Sequence, residues 1–170
     1  TLLADIVSTK DMAKFTKLME LDASYTLKGL ARFRINGCRD DGDARVVLRI
    51  IPVDILSIET LQLPDVLKPL TEHRNGLILV TGPTGSGKST SLAAMIDYIN
   101  ASRPEHIITV EDPLEFLHQD KKSIITQRAI GHDTLSFANA LRGALRQDPD
   151  IILIGEMRDQ ETVGTAVSSA

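Results

Sequence analysis

Nine residues carry the clearest chemistry in this chain of 170: Gly82-Pro83-Thr84-Gly85-Ser86-Gly87-Lys88-Ser89-Thr90. Glycines let a backbone wrap closely around a phosphate. The N–H groups of the loop and of a following helical turn then point at the anion. Lys88 is placed to reach the β- and γ-phosphates, and the Ser89 hydroxyl to ligate Mg²⁺. At average residue frequencies the pattern arises by chance roughly once in 100 or more chains of this length. It needs a strand before it and a helix after it. Gly76-Leu77-Ile78-Leu79-Val80-Thr81 reads as a short buried strand, and Leu92, Met95, Ile96 and Ile99 recur at helical spacing.

Two further apolar runs end in carboxylates. Ile107-Ile108-Thr109-Val110 is followed by Glu111-Asp112-Pro113-Leu114-Glu115, and Ile151-Ile152-Leu153-Ile154 by Gly155-Glu156-Met157-Arg158-Asp159. Parallel α/β sheets place their chemistry at the carboxyl ends of strands. The acids of the first run are candidates for Mg²⁺, water or base work, with simple solvation as the alternative. The second resembles a Walker B element in which Gly155 stands where an Asp commonly holds Mg²⁺. Glu156 is then the acid left to orient water, to hold Mg²⁺, or both, and the bland alternative is a helix cap. Between these runs, Asp133 or Thr134 is expected to cap a helix with Leu135, Phe137, Ala138, Leu141 and Leu145 inward. Arg142 and Arg146 lie one turn apart on it, where surface placement is the default. Ser123-Ile124-Ile125-Thr126-Gln127 reads as another strand, and Asp159 as the cap of a last helix.

The first third has a different period. Ser8 or Thr9 can cap a helix carrying Met12, Phe15, Leu18 and Met19. From Ala23 to Ile51 the period is two, with a turn at Arg39-Asp40-Asp41-Gly42-Asp43, which predicts an antiparallel hairpin. Tyr25-Thr26-Leu27 reads as a third strand joined through Lys28-Gly29. A turn centred between Asp41 and Gly42 sets Arg34 opposite Arg49. Like charges across a ladder are unfavourable. Either the true register is offset, leaving two solvated arginines, or the pair attracts an anion or acidic partner. The division expected is a β-rich domain over residues 1–54, a linker over 55–75 holding Pro64 and Pro69, and a nucleotide-binding core over 76–170.

Composition narrows the classes. Residues 1–75 balance 11 basic against 11 acidic side chains, whereas 76–170 carry 8 against 12. An acidic nucleotide-binding half without a Lys/Arg stripe argues against a nucleic-acid translocase. No apolar run reaches transmembrane length, so no direct membrane insertion is expected. The single Cys38 cannot form an internal disulfide, and the four histidines lack metal-ligand spacing. The chain starts at Thr1 and stops within a helical pattern, so both ends look cut.

Taken together, Ala31-Arg32-Phe33-Arg34-Ile35-Asn36, the loop from Val80 to Thr90, Val110-Glu111-Asp112-Pro113-Leu114-Glu115-Phe116, the run from Ala140 to Asp150, and Gly155-Glu156-Met157-Arg158-Asp159 resemble the secretion ATPase superfamily of type II secretion and type IV pili. Within it they are most similar to the PilT-type branch, which retracts pili in twitching motility. The resemblance implies an α/β fold: a P-loop RecA-like parallel-sheet core, truncated here, preceded by part of a PAS-like α+β domain. It implies ATP and Mg²⁺ as cofactors, residues 82–90 as the nucleotide site, and Ser89 and Glu156 as the metal site. Catalytic roles fall on Lys88, Glu115 and Glu156. Arg34, Arg49 and Arg142 match arginines that approach or sense the phosphates. It also implies a homohexamer, a pilus-machine platform protein in the inner membrane as partner, and a cytoplasmic location peripheral to that membrane. Pilus assembly, type II secretion or a non-hydrolysing assembly subunit are the alternatives. The family's histidine box is not within these residues, so weak binding and poor turnover are expected of the 170 residues alone.

Overall fold

A computed structural model describes residues 2–27, 30–51 and 54–170. The chain divides into two compact units, Thr1–Val53 and Asp54–Ala170. The expected Lys28-Gly29 connection lies outside the described residues.

The first unit is one three-stranded antiparallel sheet with helices on one face. Its elements are α1 (Leu2–Ile6), α2 (Thr9–Leu18), β1 (Glu20–Leu27), β2 (Ala31–Asp40) and β3 (Asp43–Ile51), in sheet order β1-β2-β3. The Ser8 side chain caps α2 by accepting the Asp11 N–H at 3.1 Å. The inward faces of α1, α2, β1 and β2 meet at Leu3, Phe15, Leu21 and Ile35. Leu18 and Met19 do not join them; both are exposed, and Met19 ends α2 in a left-handed conformation. The hairpin turns at Asp41 and Gly42, and Arg34 stands directly opposite Arg49.

The second unit is a parallel sheet with helices on both faces. It contains α3 (Leu67–Thr71), α4 (Lys88–Ser102), β4 (His106–Glu111), β5 (Ile124–Ala129), α5 (Phe137–Ala144), β6 (Ile151–Ile154) and α6 (Gln160–Ser168). The strand order is β5-β4-β6, all parallel. Alternation along β4 sorts the layers. Ile107 packs with Ile96 and Ile99 of α4 and with Ile125, Ile151 and Leu153 of its neighbours. Ile108 and Val110 pack on the other face with Ala140 and Ala144 of α5. Each such burial stabilises by about 1.5–3 kcal/mol.

Three expectations are corrected here. Residues 55–75 are no free linker: Ile58 is buried with Ala94 and Met95, and Leu61, Leu63 and Leu67 pack around them, so α4 is covered on a second side. The stretch before the glycine-rich loop is not a buried strand. Leu77, Ile78 and Leu79 are 44%, 43% and 59% exposed, and no ladder includes them among the described residues. Their composition suits a strand, but a strand forms only against a partner edge. Finally, α5 is capped by Ser136, whose side chain accepts the Asn139 N–H at 3.2 Å. The chain turns before it, so Leu135 precedes the helix and stands 85% exposed, and Leu145 at its other end is also exposed.

Candidate functional site

The glycine-rich loop has the geometry its sequence demands. A side chain on Gly82, which sits at φ 153°, would bring its Cβ to 2.7 Å from Ser86 Oγ, so the loop favours glycine there unless the Ser86 hydroxyl turns away. Gly87 sits at φ 89°, a left-handed position, immediately before α4 begins at Lys88. No side chain caps α4. Its first-turn N–H groups and the positive end of a 15-residue helix are therefore presented by a glycine loop, which is an anion-binding arrangement. The Lys88 ammonium donates to the carbonyls of Gly82 and Pro83, at 2.9 and 2.8 Å, holding a mobile cation at the mouth of the loop. Gly85 also sits at a positive φ of 79°, and Ser89 and Thr90 follow Lys88 in the first turn of α4.

Topology brings the carboxylates to the same end. β4 starts just after α4 stops and runs back along it, so the amino end of α4 and the carboxyl ends of β4 and β6 point the same way. Glu111, the last residue of β4, is half-buried. Burial pushes its carboxyl above the usual range, opposed by the Thr109 hydroxyl, which donates to Oε1 at 2.7 Å, and by the Glu115 N–H. Glu115 follows on the loop after the cis Asp112–Pro113 peptide.

Glu156 follows β6. Its Oε2 pairs with Arg158 at 2.8 Å, while its Oε1 is buried and accepts no hydrogen bond. An orphaned carboxylate oxygen is costly. It marks where a metal-bound water or a cation would be accommodated.

The arginines are placed less simply. Arg142 on α5 donates to Glu161 of α6 and to Asn139 of its own helix. In the first unit, the acidic partner that the Arg34–Arg49 opposition calls for is Asp22 on β1. Its two carboxylate oxygens accept from Arg34 Nε and Nη2 at 3.2 and 2.7 Å. Arg49 is exposed on the edge strand. Asp22 escaped sequence reasoning because its pairing with Arg34 depends on the β1–β2 register, and nothing in the local pattern marks it.

A family model described as "Type II/IV secretion system protein" matches residues 26–170. The chain belongs to that family. Among its relatives is the twitching motility protein of Neisseria gonorrhoeae, 55% identical over 152 residues, which are 89% of this chain and 41% of the relative. Another is the type IV pilus retractation ATPase PilT of Pseudomonas aeruginosa, 49% identical over 169 residues, 99% of this chain and 49% of the relative. A crystal structure of the pilus retraction motor PilT with bound ADP superposes at a TM-score of 0.96 and 50% identity, covering 99% of this chain and 49% of that one. The chain spans about half the length of these family members. Among the described residues no helix is long and apolar enough to cross a membrane.

Proposed function

We propose that the chain is the nucleotide-binding part of an ATP-hydrolysing motor subunit that powers type IV pilus retraction. The observation that carries the reading is the uncapped amino end of α4 behind a glycine loop whose last glycine, Gly87, takes a left-handed conformation. The likeness to a pilus retraction motor with bound ADP supports the choice of nucleotide and of task. Residues 82–90 cradle the phosphates. Lys88 exchanges its two carbonyl partners for the β- and γ-phosphate oxygens. Ser89 and Glu156 would hold Mg²⁺, which when bound would neutralise phosphate charge. Glu156 also orients the attacking water, with Glu115 as a second acid at the same end of the sheet. Arg34 and Arg142 supply positive charge to the transition state once released from Asp22 and Glu161 respectively, and Arg49 adds to it. We further propose assembly as a homohexamer, working in the cytoplasm against a platform protein of the pilus machine at the inner membrane, with no nucleic-acid partner.

Titration with a fluorescent ADP or ATP analogue tests the site. Lys88→Ala is expected to weaken binding roughly 10- to 100-fold, the loss of a charge-assisted pair. Glu156→Gln is expected to bind within about threefold of the parent while losing about 100-fold in turnover. Unchanged binding by Lys88→Ala would sink the reading.

A further inference from the structure

Glu111 is a half-buried carboxylate for which the proposed reaction has no use. It nonetheless lies where the loops leaving all three parallel strands meet. Its carbonyl accepts the Ile130 N–H at 2.9 Å, one residue beyond β5. Its Oε2 accepts the Glu115 N–H at 3.4 Å on the loop after β4, while Thr109 holds Oε1 at 2.7 Å. Beyond β6, a Cβ placed on Gly155 would come within 3.3 Å of Glu111 Cα, Glu111 Cγ and the Val110 carbonyl oxygen. Two of those three atoms are backbone, so no rotamer change makes the room. Gly155 is also tied down there, its N–H donating to the same Val110 carbonyl at 2.8 Å.

We infer that Glu111 is a positioning residue: it seats the loop carrying Glu115 against the Gly155-Glu156 turn, and its packing is the reason that position 155 is glycine. An Asp at 155, as in the usual Walker B, would need the end of β4 to give by a few tenths of an ångström. The acid moves one residue on, to Glu156, and Glu111 keeps the two acid-bearing loops in mutual register. This inference rests on the ATPase reading, because only that reading gives Glu115 and Glu156 a shared task.

The experiment compares Glu111→Ala and Glu111→Gln in the full chain by steady-state ATP turnover, thermal midpoint and amide exchange at Glu115. Glu111→Ala removes the acceptor, so Glu115 loses amide protection. Turnover falls roughly 10- to 100-fold, with KM within about threefold, as expected of misplaced groups. Glu111→Gln keeps the shape. Its carbonyl can accept from Glu115 while its amide donates to Thr109 Oγ1, so protection and most turnover return. Wild-type turnover in Glu111→Ala would overturn the proposal. So would a Glu111→Gln variant as damaged as Glu111→Ala, which would make the charge itself the agent. A loss that tracks a fallen thermal midpoint would make the role structural and overturn it too. Should the parent chain show no turnover, the ATPase reading fails separately, and Glu115 exchange still decides: protection unchanged in Glu111→Ala overturns the positioning role, and protection lost in Glu111→Ala but kept in Glu111→Gln supports it.

Discussion

Leu77-Ile78-Leu79-Val80 and Ile151-Ile152-Leu153-Ile154 are nearly interchangeable as sequences, and the molecule treats them differently. The second is β6, paired in parallel to β4 and packed between α4 on one face and α5 on the other. The first leads into the phosphate loop with its side chains largely exposed and no ladder among the described residues. Both are β-branched and apolar, so propensity cannot explain the contrast. What differs is the neighbour. β4 offers β6 a row of unpaired N–H and C=O groups, and two helices cover the resulting faces. An apolar tetrapeptide states that burial is wanted, and topology decides whether it is granted.

The largest expected effect sharpens that contrast. Ile108→Ala, in the strand that β6 pairs with, removes a fully buried side chain and should cost about 2–5 kcal/mol in urea unfolding. Ile78→Ala, in the stretch of matching composition, should cost within about 0.5 kcal/mol. Comparable losses at the two sites would show that residues 77–80 are packed in solution, and the comparison would collapse.

The same logic separates what was legible in the sequence from what was not. The phosphate loop was legible because its function depends on glycines and a lysine at fixed local spacing. The β2–β3 register was legible too, since Asp41-Gly42 centres the turn and places Arg34 against Arg49. The strands β4 and β6 and the caps Ser8 and Asp159 are likewise local patterns. What stayed hidden depends on residues far apart in the chain. Asp22 reaches Arg34 across a ladder, Glu111 meets Gly155 44 positions later, and Ile58 finds Met95. The cap of α5 failed for a local reason: Asp133, Thr134 and Ser136 are all competent caps. The turn that sends Ala129 N–H to the Asp133 carboxylate takes Asp133 out of contention.

A smaller effect bears on how β6 is covered. α5 supplies Ala140 and Ala144 against Ile108 and Val110, with Ile152 packed beside them, and Ser136 starts that helix. Ser136→Ala should cost about 1 kcal/mol in thermal or urea unfolding. Thr134→Ala should cost less, and the reverse order would move the helix start back to the residue that the sequence alone suggests.

The smallest effect concerns α6, which joins the two contrasted segments. It begins just after β6, and beyond its end the Ala170 carbonyl accepts the Gly76 N–H at 3.2 Å, at the start of the exposed stretch. Asp159 caps it, accepting from the Thr162 N–H and hydroxyl at 2.7 and 2.8 Å. Those hydrogen bonds favour the ionised form and hold its carboxyl below the ordinary value of 3.8. A group with a lowered folded pKa contributes its stability in full above the unfolded value and loses it as pH falls through the folded one. Amide protection in the first turn of α6 should therefore be steady near neutrality and decline below about pH 4. Asp159→Asn retains a capping oxygen that does not titrate, so its protection should stay level over the same range. Gly76 protection should decline with that of α6 in the parent and stay level with it in the variant. If both proteins share one acid profile, the cap is not what ties residues 77–80 to β6, and the exposed stretch owes its place to the phosphate loop instead.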